Sequence, residues 1–171
     1  MRYVALLRGI NVGKANRVKM SDLLSAISRH EISSSTAYLQ SGNILFDTNQ
    51  RKDEAEQSIA AALQGLGLRS TVILRTAREM SEIAKRDPFK DSPGPGKSQF
   101  VTFCKHPIDG TYEAGEASEI ITRTESEIFW IATPREGKAP TGPKLPKNVL
   151  TETTNRNWIV TLALAELLEV A

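Results

Sequence analysis

Apolar residues fall along this chain in short runs whose period switches between two and about 3.6. Residues 3–8, YVALLR, are an apolar run ended by Gly9, long enough for a strand and too short for a helix. Met20, Leu23, Leu24 and Ile27 then follow the i, i+3, i+4, i+7 spacing of one buried helix face, with Ser21 placed to cap it. Residues 35–40 and 43–46 are strand-prone and flank Ser41-Gly42, where glycine supplies the positive φ a tight hairpin needs. A second helix is predicted over 53–66, with an acidic first turn, a stripe of Ala55, Ile59, Ala62, Leu63 and Leu66, and Gly67 at its end. Alternation returns over 68–75, where Leu68, Ser70, Val72 and Leu74 make one face of a strand. Thr76 and Glu79 form a capping box for a third helix through Arg86, stopped by Pro88.

The order strand-helix-strand-strand-helix-strand is the split βαβ, or ferredoxin-like, unit. A right-handed first crossover, with the third strand returning between the first two, has a geometric consequence. The loop 9–19 and the turn Gln40-Ser41-Gly42-Asn43 then meet at one end of the sheet.

At 91–97 the composition shifts to DSPGPGK, which marks a connector between a first half, 1–90, and a second half, 98–171. The second half reads as a strand over 98–104, an acidic helix-capable segment over 108–118, and strands over 119–123 and 128–133. A Pro/Gly/Lys-rich loop over 134–147 and a final helix over 158–170 follow. That helix is apolar on nearly every side, which predicts burial, and Glu166 and Glu169 argue against its spanning a membrane.

Composition narrows the class. With 171 residues, 40% hydrophobic and 25% charged, the chain buries a sufficient core without disulfides or metals. Cys104 is the single cysteine and there are two histidines, which excludes an intrachain disulfide and a closed Cys/His zinc site and fits a reducing, cytoplasmic setting. The first ten residues are interrupted by Arg2 and Arg8 and resemble neither a signal peptide nor a membrane span. A net charge of +2 argues against a surface that tracks nucleic acid throughout. Its distribution is uneven: residues 1–20 carry Arg2, Arg8, Lys14, Arg17 and Lys19 with no acid, whereas 109–127 carry six acids against Arg123.

Candidate chemistry therefore centres on LLRGINVGKANRVKM, residues 6–20. Arg8, Asn11, Lys14, Arg17 and Lys19 precede a helix N-terminus, where unpaired N–H groups and the dipole favour phosphate, sulfate or carboxylate. Against this stands the plainer role of a turn with solvated cations and an asparagine bonded to its own loop. Gln40, Ser41 and Asn43 either complete a polar pocket with Arg8 or stitch the turn to its neighbour. Arg156-Asn157-Trp158 opens the final helix, as a buried anchor with Arg156 in a structural pair, or with Arg156 reaching the pocket.

Sharper motifs fail. Gly94-Pro95-Gly96-Lys97-Ser98 lacks the first glycine of a P-loop and precedes a strand. Gly9 and Gly13 do not have dinucleotide spacing. Cys104 and His106 have no third partner for catalysis. RNA-recognition modules share the first half's element order, but the aromatic platform is missing, which leaves only nonspecific backbone contact by the basic loop. No cofactor motif, carboxylate pair or metal cluster is legible, and catalysis stays undecided.

Leu7-Arg8-Gly9-Ile10-Asn11-Val12-Gly13, then Met20 and Leu23, Gln40-Ser41-Gly42-Asn43 with Phe46, and Arg156-Asn157-Trp158 resemble the family known as domain of unknown function 1697. Lys14 and Pro143 depart from its usual glycine and serine, and the stretch between Leu145 and Arg156 is shorter than usual. The resemblance implies a soluble, bacterial-type α+β protein of two ferredoxin-like halves, mainly antiparallel sheets with helices packed on them, without an established activity. The expectation from residues and resemblance together is a binder of a small phosphate- or nucleotide-like anion through Arg8, Asn11, Lys14, Gln40, Ser41, Asn43 and Arg156. A nucleic-acid-binding or protein-interaction module is the alternative.

Overall fold

The computed structural model describes residues 1–91 and 98–170, so all of the expected connector except Asp91 lies outside the described residues. The chain divides into two compact units, residues 1–81 with 164–171, and residues 82–163. The elements of the first half are β1 (Arg2–Leu7), α1 (Met20–Ile27), β2 (Ser33–Ala37), β3 (Asn43–Asp47), α2 (Lys52–Gly65), β4 (Val72–Thr76) and α3 (Ala77–Lys85). Its sheet runs β2-β3-β1-β4 with every pair antiparallel, the ferredoxin-like order expected from the element sequence.

One face of this sheet, Tyr3, Ala5, Leu7, Ile44, Phe46, Val72 and Leu74, packs with Met20, Leu23 and Ile27 of α1 and Ala55, Ile59, Ala62 and Leu63 of α2. These are the stripes the periodicity predicted, except that Leu66 lies past the end of α2 and is exposed, and each large apolar side chain contributes about 1.5–3 kcal/mol by leaving water. The opposite face, with Val4, Leu6, Leu45, Ile73 and Arg75, is buried too. The last strand thus departs from the single apolar face expected over 68–75 and begins later, at Val72. Residues 69–71 instead bond to the loop after β1: the Arg8 N–H donates to Thr71 O, Ser70 Oγ to Arg8 O, and Asn16 Nδ2 to Arg69 O.

Local signals at α2 and α3 hold. Gly67, just past α2, has φ +71, the conformation that ends a helix. Glu79 Oε2 accepts the Thr76 N–H at 2.6 Å while the Glu79 N–H donates to Thr76 Oγ1 at 3.1 Å, a complete capping box. At α1 the cap differs from expectation. Lys19, not Ser21, occupies the N-cap, and no side chain caps the helix there. Ser21 lies inside the first turn, because the buried face requires Met20 to be helical already.

The second half has β5 (Ser98–Cys104), β6 (Ser118–Arg123), β7 (Glu127–Ala132), α4 (Lys147–Leu150), β8 (Thr153–Asn157) and α5 (Trp158–Glu169). Its sheet runs β6-β7-β5-β8, the order of the first sheet repeated strand for strand. The two crossover helices are not repeated. The helix expected over 108–118 is absent: Gly110, at φ +87, and Gly115 interrupt it, and glycine in a helix interior costs about 1 kcal/mol relative to alanine. The segment is irregular instead, with one isolated bridge from Glu113 to Lys144.

The final helix is buried along one face only, through Trp158, Thr161, Leu164, Ala165 and Leu168, while Ile159, Leu162 and Leu167 are exposed. Its all-round apolar composition overstated its burial. Trp158 is the anchor: its ring lies edge-on to Phe89 at 5.3 Å and to Phe129 at 6.2 Å between centroids. Among the described residues, no helix is long and apolar enough to cross a membrane.

Candidate functional site

The β1–α1 loop and the β2–β3 turn meet at one end of the first sheet. The Leu7 N–H donates to Gly42 O at 2.8 Å, and Tyr38 N donates to Asn43 O at 2.8 Å to close the turn. Gly42 sits at φ +77, and a Cβ there would lie 2.9 Å from Leu7 Cβ and 3.1 Å from Ile10 Cβ. Only glycine satisfies both the backbone conformation and the close approach.

Asn11 joins the two segments. Its Nδ2 donates to Val18 O at 3.0 Å, within its own loop, and to Gln40 O at 2.8 Å, across to the turn. Its Oδ1 accepts the Val18 N–H at 2.9 Å. Asn11 has φ 55, a left-handed conformation that asparagine tolerates better than most residues. Asn16, at φ 50, fastens the far side of the loop through its bonds with Arg69.

Between loop and turn runs an open groove of about 440 Å³, lined by Asn11, Arg17, Val18, Lys19 and Gln40. Arg17 is oriented by its Nε, which donates to Gly13 O at 2.6 Å, a bond that uses one of the guanidinium's N–H donors. Lys19 stands at the uncapped N-terminus of α1, where helix amides and dipole carry partial positive charge. Asp22, in the first turn, is the nearest acid in sequence. Val12 and Leu39, on the two converging segments, are 65% and 53% exposed, and Leu39 holds φ 60.

The residues singled out from the sequence divide by position. Asn11 and Gln40 line the groove. Lys14 and Ser41 are exposed and Arg8 is half-buried, on the same two segments but outside the groove lining. Asn43 pairs with Leu6 of β1, as its place at the start of β3 suggested, and is fully buried, with Nδ2 donating to Tyr38 O and Ser41 Oγ. That is work for the hairpin itself.

Arg156 belongs to the other unit and ends a strand rather than opening a helix; Trp158 begins α5, and Asn157 Oδ1 caps it by accepting the Val160 N–H at 2.8 Å. Arg156 NH1 donates to Thr154 Oγ1 and Asn155 O, and burial pushes its pKa down to about 10. Arg75 sits opposite Val4 on β4 as Arg156 sits opposite Val101 on β8, and both are buried. The groove's cationic walls, Arg17 and Lys19, belong to the acid-free basic run, which was the signal for them in the sequence.

A family model described as "Protein of unknown function (DUF1697)" matches residues 1–133, more than three-quarters of the chain. The chain belongs to this family. The match spans the whole groove, whereas Arg156-Asn157-Trp158 lies beyond it. Among solved structures, a conserved bacterial protein from Streptococcus pneumoniae superposes with a TM-score of 0.72 and 18% identity, over 98% of each chain. At that identity the likeness concerns the fold. It shows that the DUF1697 chain's two-sheet α+β architecture recurs along nearly its full length. No curated protein matches the chain.

Proposed function

We propose that this DUF1697 protein binds a small phosphate- or nucleotide-like anion in the groove between the β1–α1 loop and the β2–β3 turn. The observation that carries the reading is the placing of Arg17 and Lys19 in one wall of that groove, at the uncapped N-terminus of α1, within a stretch of sequence free of acids. Positive side chains and the helix end act on an anion together there. Arg8 and Lys14 add to the local field from the same loop. Asn11, with its amide committed to holding loop against turn, positions the groove, and Gln40 contributes the opposite wall. Exposed Val12 and Leu39 favour a ligand with an apolar ring beside its phosphate over a bare inorganic ion. Cys104, buried and in no disulfide, is in keeping with a reducing, cytoplasmic setting.

The test is thermal stabilisation by AMP, ATP and inorganic phosphate, on native protein and on Arg17→Ala and Lys19→Ala. A ligand at about 100 times its Kd stabilises the native state by about 2.7 kcal/mol, and each substitution should weaken that response. Flat responses across all three probes refute the reading. Retention of single-stranded nucleic acid with a steep salt dependence, and no response to mononucleotides, would replace it with the nucleic-acid alternative.

A further inference from the structure

Three connections meet at one end of the first sheet, and each presents the same pair of features. The β1–α1 loop, the β2–β3 turn and the link from α2 to β4 are joined there: Leu7 pairs with Val72 of β4, the Leu7 N–H donates to Gly42 O, and the Asn16 side chain bonds to the Arg69 backbone in both directions. Each connection carries an exposed aliphatic residue, Val12 at 65%, Leu39 at 53% and Leu66 at 39%. None carries an acid, since residues 1–21, 32–46 and 57–78 contain no Asp or Glu. Asp22, in the first turn of α1, is the nearest in sequence.

The cations of this unit divide in the same way. At the opposite end Arg2 pairs with Asp47 at 3.3 Å, Arg51 with Asp53 at 3.2 Å and Lys52 with Glu79 at 2.9 Å, and Glu31, Asp47 and Glu54 line a hollow beside Met1. At the loop end Lys14, Arg17, Lys19 and Arg69 are exposed, and among the described residues they make no ion pair. A single exposed aliphatic side chain is ordinary, but three on adjoining connections, set among unpaired cations, make a patch. Leu39 is held at φ 60, a left-handed conformation unfavourable for a bulky residue, by bonds on either side of it, from Tyr38 N to Asn43 O and from Asn11 Nδ2 to Gln40 O. The ties at Asn11 and Asn16 set the loops before any contact, so docking has little order to impose.

Unpaired cations call for an array of negative charge, and aliphatic tips call for an apolar layer beneath it, which is the arrangement of headgroup and hydrocarbon in an anionic lipid leaflet. Single-stranded nucleic acid would supply the charge, but its bases stack on exposed aromatic rings, and the one aromatic of the three connections, Tyr38, is half-buried. We propose that this end of the first unit docks on an anionic lipid surface, with Val12, Leu39 and Leu66 in the headgroup layer and Lys14, Arg17, Lys19 and Arg69 on its phosphates. The unit lies on the leaflet and does not span it. The surface includes the groove's two cations, but the proposal does not rest on the groove taking a small anion.

The test is co-sedimentation of the full chain with vesicles of phosphatidylglycerol and phosphatidylcholine in equal parts, against vesicles of phosphatidylcholine alone, with no nucleotide present. Binding to the anionic vesicles only, falling as salt rises, is the expected result. Arg69→Glu, outside the groove, should weaken that binding by at least about fivefold, the effect of one cation near such a surface, and leave the thermal response to AMP unchanged. Leu66→Ser should weaken vesicle binding as well. Asparagine suits φ 60 better than leucine, so Leu39→Asn should raise the urea midpoint while weakening vesicle binding, a combination that damage to the fold cannot produce. No binding to anionic vesicles, equal binding to both kinds, or unchanged binding in Leu39→Asn and Leu66→Ser each overturn the proposal. So does an oligodeoxythymidine that displaces the native chain from vesicles and binds Leu39→Asn and Leu66→Ser equally well, which assigns the surface to nucleic acid. The vesicle and nucleotide assays share no component but the protein, so each reading fails by itself.

Discussion

Replacing Asn11 by alanine isolates the contact on which the convergence of loop and turn depends. Three hydrogen bonds are lost, from Nδ2 to Val18 O and Gln40 O and from the Val18 N–H to Oδ1. Asn11 is half-buried, so water replaces part of each, and about 0.5–1 kcal/mol apiece is the appropriate scale. The backbone adds to this, because φ 55 is left-handed and alanine there costs about 1 kcal/mol more than asparagine or glycine. The sum is roughly 2–4 kcal/mol, or on the order of 10 °C in Tm for a chain of this size. Urea denaturation measures it as a shift in midpoint at constant slope. Asn11→Gly separates the two contributions: it loses the same bonds without the strain and should be about 1 kcal/mol more stable than Asn11→Ala. A loss below about 0.5 kcal/mol in Asn11→Ala, or equal stability of the two variants, would refute the assignment of Asn11 as the tie between loop and turn.

Gly42→Ala combines a left-handed backbone with a Cβ placed 2.9 Å from Leu7 Cβ, and a loss of about 2–4 kcal/mol in the same denaturation assay is expected. Glu79→Gln weakens the α3 capping box and the pair with Lys52, 2.9 Å away, for about 0.5–1 kcal/mol at neutral pH, the figure being held down by solvent screening of a side chain 41% exposed. Burial pushes the Glu79 carboxyl up, but the Thr76 N–H and the Lys52 ammonium outweigh it and hold its pKa below the ordinary carboxylate range. The stabilisation is therefore complete above that range and lost as pH falls through the lowered pKa, so denaturation curves of wild type and Glu79→Gln should converge in acid. Trp158→Ala removes the edge-on contacts with Phe89 and Phe129 and should cost about 3–5 kcal/mol in urea melts.

Legibility followed the range of the interactions involved. The first half was readable because its signals are local: the stripe of α2, the capping box at Thr76 and Glu79, and the helix-ending Gly67 are each decided within a few residues. The start of β4 was misplaced because Ser70 and Asn16 act across more than fifty residues, fastening 69–71 to the β1–α1 loop. Asn11 was visible as a candidate, but nothing local announces that its amide reaches Gln40 across the sheet end.

In the second half, composition misled. The acidic stretch over 108–118 has helix-forming residues, yet its glycines and its bridge to Lys144 leave it as irregular chain. Residues 158–169 form the expected helix, while the choice of which apolar side chains are covered belongs to packing: Leu164 is buried and Ile159 exposed with little in the sequence to separate them.

By itself, then, the order of strands and helices determined the ferredoxin-like topology of the first half and, with it, the end of the sheet where two polar turns must meet. Strand order and crossover hand leave few alternatives once the elements are known. Tertiary structure alone decided which groups face the groove, since Arg17 and Lys19 line it while Asn43 turns inward to its own hairpin. It also decided that the second sheet would repeat the strand order of the first. Those outcomes rest on contacts between residues far apart in the chain, which no local pattern encodes.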